Sequence, residues 1–289
     1  MTTVTLLHPG AMGAALGSQL TVSGYRVLWV PSGRSTASHE RAEQAALRPA
    51  ESLSAALAQS DIVLSVCPPH GAERLAASVA SCGYHGIFVE ANAISPQRML
   101  RIAAGMPSEC TVLDGAVIGP PPAEGRTARL YLAGPDSART ELAKMFAGTT
   151  VTVKETGSEY GTASALKMAF ASYQKAARAL AGVAHALADA HGVAELLTAE
   201  AEIMTGRILS DPEYLSSVAA RAWRWAPEMQ EIEEALRAVS LPTDFSRAAA
   251  AVLKRWESDK DRDLPLETVL SQLRSTAADG TGTASRSAP

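Results

Sequence analysis

The residues near the start of the chain with the clearest chemical use are His8-Pro9-Gly10-Ala11-Met12-Gly13-Ala14-Ala15-Leu16-Gly17. They follow the apolar run TVTLL (3–7) and open a helical pattern. Glycine serves where a backbone turns tightly and where main-chain N–H groups must approach an anion without a Cβ in the way. A helix N-terminus adds the positive end of its dipole. The spacing of Gly10 and Gly13 matches the second and third glycines of a dinucleotide-binding turn, with His8 in place of the first. Gly10, Ala11, Met12 and Gly13 are therefore candidates to hold a pyrophosphate. A plain strand-to-helix turn shares the pattern, but a place after the first strand of a βαβ unit is where open sheets bind cofactors. At the end of the second strand, an NAD enzyme usually carries an acid for the ribose hydroxyls. Here the stretch is Val30-Pro31-Ser32-Gly33-Arg34-Ser35, with no acid before Glu40. The hydroxyls of Ser32 and Ser35 and the Arg34 guanidinium suit a 2′-phosphate, so NADP(H) is the expected cofactor.

These residues need a scaffold, and the apolar runs supply one. TVTLL, RVLWV (26–30), DIVLSV (61–66) and GIFVEA (86–91) read as buried strands, with Ala-rich helical stretches such as 52–59 and 72–81 between them. That alternation predicts βαβ units and a doubly wound parallel sheet. TVLDGAV (111–117) and ARLYLAG (128–134) extend it around IGPPPAEG (118–125), whose prolines require a loop or edge. From about Ser158 the pattern is helical only. The stretch 161–192 lacks proline, and Leu166, Phe170, Tyr173, Ala177, Leu180, Ala184 and Leu187 recur at helical spacing. Helices are also expected over 194–208, 211–225 and 227–238. The expected organisation is a Rossmann-type NADP-binding domain over 1–157, an all-α substrate and dimerisation domain over 158–274 and a disordered tail over 275–289. At 289 residues and net charge −4, the chain has a length suited to two domains and no basic footprint for nucleic acid. No apolar run reaches bilayer length, and MTTVTLLHPG lacks a signal-peptide n-region. A cytoplasmic protein without membrane partners is expected. Cys67, Cys82 and Cys110 form no CxxC pair, and no metal site is expected.

PGAMGAALG (9–17), CPPH (67–70), EANAISP (90–96), DGAVIGPPP (114–122) and GTASALKMAFASYQKA (161–176) together resemble the β-hydroxyacid dehydrogenase superfamily. That superfamily includes 6-phosphogluconate and 3-hydroxyisobutyrate dehydrogenases and imine reductases. RAWRWAPEMQEIEEAL (221–236) is similar to a subgroup with a C-terminal domain of unknown function. The resemblance spans about residues 3–256. It implies a nucleotide-binding domain, an all-helical second domain joined by a long interdomain helix, and an intertwined homodimer. It places Cys67, Pro68 and Pro69 along the cofactor path and Asn92 near the nicotinamide ribose. It also gives Gly115, Ala116, Val117, Ile118 and Gly119 to the substrate and makes Lys167 the catalytic lysine. Two departures stand out. Phe170 and Ala171 occupy positions where members that oxidise β-hydroxyacids carry an asparagine, and Ile118-Gly119-Pro120 replaces Ser-Gly-Gly.

Hydride transfer needs a proton supplied to the substrate heteroatom, and a desolvated lysine can supply it. Lys167 stands among Ala165, Leu166, Met168 and Phe170, with Phe170 bordering the substrate. Tyr173 is a second proton donor by type. Lys175, two helical turns on, is a candidate for an anionic group, and either Trp223 or Trp225 could line a pocket. Arg221 and Glu228 could reach a charged substrate across a dimer interface, with a surface role as the default. His185 and Asp189 share a helix face without enough ligands for a metal, and His70 borders the cofactor or caps a turn. No GxSxG, HExxH or Walker pattern occurs. The expected function is an NADPH-dependent oxidoreductase interconverting a hydroxyacid-like alcohol and its carbonyl, with Lys167 as general acid/base. An NADPH-dependent imine reductase is the alternative, and a non-catalytic NADP-binding sensor or partner-binding protein is a second.

Overall fold

The computed structural model describes residues 1–190, 192–203, 212–238 and 243–274. The chain forms two compact units, Met1–Ser172 with Gln230–Thr243, and Tyr173–Met229 with Asp244–Pro289. The division falls inside two helices and not at the expected 157/158 junction.

The first unit is built on β1 (Thr3–Leu6), α1 (Ala11–Val22), β2 (Arg26–Trp29), α2 (Thr36–Gln44), β3 (Arg48–Pro49), α3 (Leu53–Leu57) and β4 (Ile62–Ser65). It continues with α4 (Ala72–Ser81), β5 (Ile87–Glu90), α5 (Pro96–Gly105), β6 (Thr111–Ile118), β7 (Ala128–Ala133), α6 (Asp136–Met145) and β8 (Val151–Gly157). The eight strands form one sheet in the order β3-β2-β1-β4-β5-β6-β7-β8. All neighbours pair in parallel except β6 with β7. The strand order reverses between β1 and β4, and the crevice beyond the carboxyl ends of those strands is where such sheets bind ligands.

Successive side chains of a strand face opposite layers, and the two cores show it. Ile62, Leu64 and Val89 join Leu16, Leu20 and Leu142 on one side of the sheet. Val63 and Phe88 join Val79, Met99 and Ile102 on the other. A strand buried on both faces reads as a continuous apolar run, which is why IVLS at β4 is legible without a helix-like period.

Pro120, Pro121 and Pro122 lie in a loop as expected, with only Ile118 of the stretch 118–125 drawn into a strand. β6 runs through Ile118, and the chain turns back through a bridge between Ala123 and Arg126 to make β7 antiparallel.

The second unit takes in most of α7 (Thr162–Ala190), then α8 (Ala194–Ile203), most of α9 (Tyr214–Ala238), α10 (Asp244–Lys254) and α11 (Leu266–Arg274). Two expectations change here. The helices expected over 211–225 and 227–238 are one helix, α9, with Pro227 inside it. An interior proline removes one backbone hydrogen bond and costs about 3 kcal/mol. Buried Trp225, Ala226 and Met229 on either side of it provide compensating packing. The apolar stripe of α7 is not wholly buried, for Leu166, Phe170 and Tyr173 expose 36%, 37% and 73% of their surface. The side chains of Leu180, Ala184 and Leu187 of that stripe, positions 204–208 of the helix expected over 194–208, and the tail 275–289 lie outside what is described. The centre of this unit is Trp256, fully buried, whose indole N–H donates to the Val269 carbonyl at 2.9 Å.

Candidate active site

The turn from β1 to α1 holds the expected anion cradle. Gly10 is the N-cap of α1, which has no side-chain cap and no acid in its first turn, so its leading amides are left for a ligand. Gly13 is required by close approach, since a Cβ there would lie 2.3 Å from the His8 carbonyl oxygen.

Arg34 folds back onto this turn. Its Nη2 donates to the Leu7 carbonyl at 2.8 Å and its Nη1 lies 3.1 Å from His8 Nδ1. Its Nε is buried without a hydrogen-bond partner. Arg41, which sequence reasoning missed, grips the same turn by donating from Nε to the Pro9 carbonyl at 3.0 Å. Ser35 caps α2, its Oγ accepting from the Ser38 N–H at 3.3 Å, and Ser32 is exposed beside it. Burial, then the Arg34 and Arg41 charges, push the His8 imidazole down to about 4. An uncapped helix terminus, a glycine cradle and a guanidinium held beside them form a donor set that fits the phosphates of a dinucleotide.

The ends of β4 and β5 make the second wall. Asn92, buried, donates from Nδ2 to Ser65 Oγ at 3.0 Å and accepts the Cys67 N–H on Oδ1. Its own N–H goes to Glu90 Oε1 at 3.0 Å. Asn92 thus ties the end of β5 to the end of β4, which carries Cys67, Pro68 and Pro69. Burial first, then Glu90, push the Cys67 thiol up to about 12, so it is no nucleophile at neutral pH.

Glu90, also missed in the sequence, is almost completely buried, and burial raises its carboxyl to about 7. Hydrogen bonds from Asn92 and Ser65 pull it back, and Asp114 adds to the rise. An acid raised in the fold stabilises below its unfolded value, here 4.5, and loses that contribution as pH rises through about 7. Glu90→Gln keeps an acceptor for the Asn92 N–H and removes the buried charge. Above pH 7 it is expected to stabilise the protein by about 2–3 kcal/mol, with little effect below pH 4.5. Denaturant melts at both pH values check this, and an equal shift at both would show that the carboxyl does not titrate there.

The third wall is β6 with the first turns of α7. Asp114, fully buried, accepts from the N–H groups of Gly161 at 2.8 Å, Ala163 at 3.0 Å and Ser164 at 3.2 Å. Its Oδ1 also accepts from Ser164 Oγ at 2.6 Å. The carboxylate therefore caps α7 from another strand, and Gly161 takes φ +94° to bring its N–H there. Three residues further along both elements, Lys167 Nζ donates to the Val117 carbonyl at 2.8 Å.

Gly115, Ala116, Val117 and Ile118 are strand residues paired with β7, not an open loop. Pairing with β5 ends at Asp114. N–H and C=O of one strand residue point to the same side, so the Val117 N–H faces the Lys167 side too. Ala116 and Ile118 turn theirs towards β7, and Gly119 follows at φ +128°.

Of the remaining candidates, Phe170 lies one turn beyond Lys167 in the first unit. Tyr173, Lys175 and Trp223 belong to the second. There Lys175 is buried and ion-paired with Glu228. Lys260 Nζ stands 4.2 Å from the Trp223 ring centroid, while Trp225 is buried with the Arg221 guanidinium 5.2 Å from its own. Asp189 pairs with Arg274, and His70 is exposed after β4. No group of three or more potential metal ligands occurs among the described residues.

The fold is that of 3-hydroxyisobutyrate dehydrogenases and imine reductases. A Mycobacterium tuberculosis 3-hydroxyisobutyrate dehydrogenase structure with L-serine is similar at TM-score 0.76 and 19% identity, over 95% of this chain and 100% of the other. A Streptomyces aurantiacus imine reductase is similar at TM-score 0.55 and 19% identity, over 95% and 100%. An Aspergillus terreus reductive aminase in complex with NADPH and ethyl levulinate gives 0.55 and 16%, over 94% and 99%. Within that fold, residues 188–256 match a family described as a domain of unknown function, DUF1932. No curated protein matches the chain at a significant level.

Proposed function

We propose that the protein is an NADP(H)-dependent oxidoreductase that interconverts a hydroxyacid-like alcohol and its carbonyl, with Lys167 as general acid/base. The observation that carries the cofactor assignment is the pair Arg34 and Arg41, both fastened to carbonyls of the glycine turn at the open end of β1. Ala11, Met12 and Gly13 would receive the diphosphate on main-chain N–H groups, and Gly10, whose own N–H donates to the His8 carbonyl at 2.9 Å, would let it approach without a Cβ in the way. Ser32, Arg34 and Ser35 would take the 2′-phosphate. Cys67, Pro68 and Pro69, held by Asn92, would border the path to the nicotinamide.

The bound nicotinamide supplies or accepts the hydride; the chain positions the substrate and handles its proton. Lys167 is fixed by the Val117 carbonyl beside a strand edge with an N–H facing the same way. In reduction its ammonium would give a proton to the nascent alkoxide, and in oxidation its amine would take one. The mycobacterial dehydrogenase supports this reading through its fold, and the fungal aminase through its NADPH.

Imine reduction is the second reading, favoured by the exposed Phe170 one turn from Lys167 where an amide side chain would suit a hydroxyacid. Exposed Leu166 and Phe170 also support a homodimer that covers them. The domain roles follow, with nucleotide binding in the N-terminal part and substrate and dimer contacts in the helical part.

The test is a fluorescence titration with NADPH and NADH, with the mass of the same sample read by light scattering. NADPH is expected to bind at least about tenfold more tightly, since a charge-assisted contact contributes roughly 1.5–3 kcal/mol. Binding of neither nucleotide would remove the oxidoreductase reading, and a monomeric mass would remove the dimer.

A further inference from the structure

We propose that His8 is a specificity-determining residue of the cofactor site. Through Nδ1 it holds the Arg34 guanidinium ready for the 2′-phosphate, and through Nε2–H it donates to the diphosphate at the start of α1. The inference rests on the NADP(H) reading above and extends it to a residue standing where such turns ordinarily have a glycine.

The tautomer follows from the partner. A guanidinium only donates, so His8 Nδ1, 3.1 Å from Arg34 Nη1, accepts. The ring is then neutral, with its proton on Nε2. Its orientation follows from Gly10. The site of a Cβ on Gly10 lies 3.2 Å from His8 Cδ2 and 3.3 Å from Nε2, so that ring edge rests against the N-cap of α1. The proton-bearing nitrogen therefore stands beside the helix terminus that has no cap of its own.

Arg34 has two fixed attachments, His8 Nδ1 and the Leu7 carbonyl. With both in place the guanidinium is held against the turn, and each Nη keeps a second N–H for a ligand. A glycine at position 8 would leave only the Leu7 contact. Selectivity for the 2′-phosphate would then have to meet the entropic cost of ordering a long side chain.

Affinities for NADPH, NADH and the fragment 2′,5′-ADP, measured by fluorescence and calorimetry on the wild type and on His8→Gly, test this without turnover. In His8→Gly, NADH is expected to weaken by about tenfold through the lost diphosphate contact and NADPH by about a hundredfold, the extra factor being the lost hold on Arg34, with 2′,5′-ADP weakened by at least about tenfold. His8→Asn, whose side-chain oxygen can still accept from Arg34, is expected to keep most of the preference and guards against a folding defect in the glycine variant. A wild type that prefers NADPH, with a preference that survives His8→Gly, would overturn the role of His8 alone. A wild type that binds neither NADPH nor 2′,5′-ADP would overturn the cofactor reading together with it.

Discussion

Lys167→Ala is expected to lower turnover by about 10²–10⁴-fold, the usual contribution of a positioned acid or base, while leaving the affinity for NADPH unchanged. The two effects separate because the residues concerned sit on different strands. Lys167 is anchored to β6 through the Val117 carbonyl, whereas the nucleotide candidates cluster at the ends of β1, β2 and β4. Lys167→Arg refines the test. A guanidinium can still donate to the Val117 carbonyl but does not release a proton near neutral pH. It should therefore be nearly as slow as the alanine variant. Rates measured with NADPH across ketoacids and cyclic imines decide the matter. An alanine variant that turns over at the wild-type rate would end the proposed role of Lys167, and full activity in the arginine variant would reduce it to positioning. If the wild type binds NADPH tightly and turns over nothing across that panel, the sensor reading takes the place of the enzyme.

The parts of this picture that were legible in the sequence are those written in contiguous residues. β1, β4 and β5 appear as apolar runs because each is buried on both faces. The glycine turn is legible because its spacing is local. β3 was not, since two exposed residues, Arg48 and Pro49, carry no apolar signal. β8 was missed for a related reason: it is an edge strand with only Val151 buried among its seven residues. The unbroken course of α9 was hidden by Pro227, because local propensity argues for a break there and tertiary packing overrides it.

Within the site the same division holds. Ser32, Arg34 and Ser35 could be read from the strand end they share. Arg41 and Asp114 could not, because each acts on residues far along the chain, and Glu90 could not, because what marks it is burial between neighbouring strands. Arg41 reaches back to Pro9, and Asp114 reaches forward to Gly161 and Ser164. The one available hint was that Glu90 and Asp114 are charges set in apolar runs, and buried charges are seldom kept without a partner. In the structure they are neighbours, paired in register across β5 and β6.

Asp114→Ala carries the largest expected effect on stability. The substitution removes the acceptor for three backbone N–H groups and one hydroxyl, all buried at the start of α7. Losing an N-cap costs about 0.5–2 kcal/mol, and leaving buried donors unsatisfied adds roughly 1–3 kcal/mol. A loss of about 3 kcal/mol follows, equivalent to a fall in Tm of roughly 6–12 °C for a unit of this size. Asp114→Asn separates acceptor from charge. Burial raises the Asp114 acid above its ordinary value while its four donors pull the other way, so the charge itself is only partly compensated. An amide oxygen in the same place should therefore keep most of the stability. The consequence for activity is distinct. Asp114 and Lys167 fasten α7 to β6 at two points one turn apart, at Ser164 and at Val117. Loosening the first lets the second drift, and a displacement of about 1 Å can cost roughly 10²-fold in rate. The folded alanine variant, assayed well below its melting point, should thus lose turnover while retaining NADPH affinity. A variant that melts within a degree or two of the wild type would show that α7 does not depend on this cap.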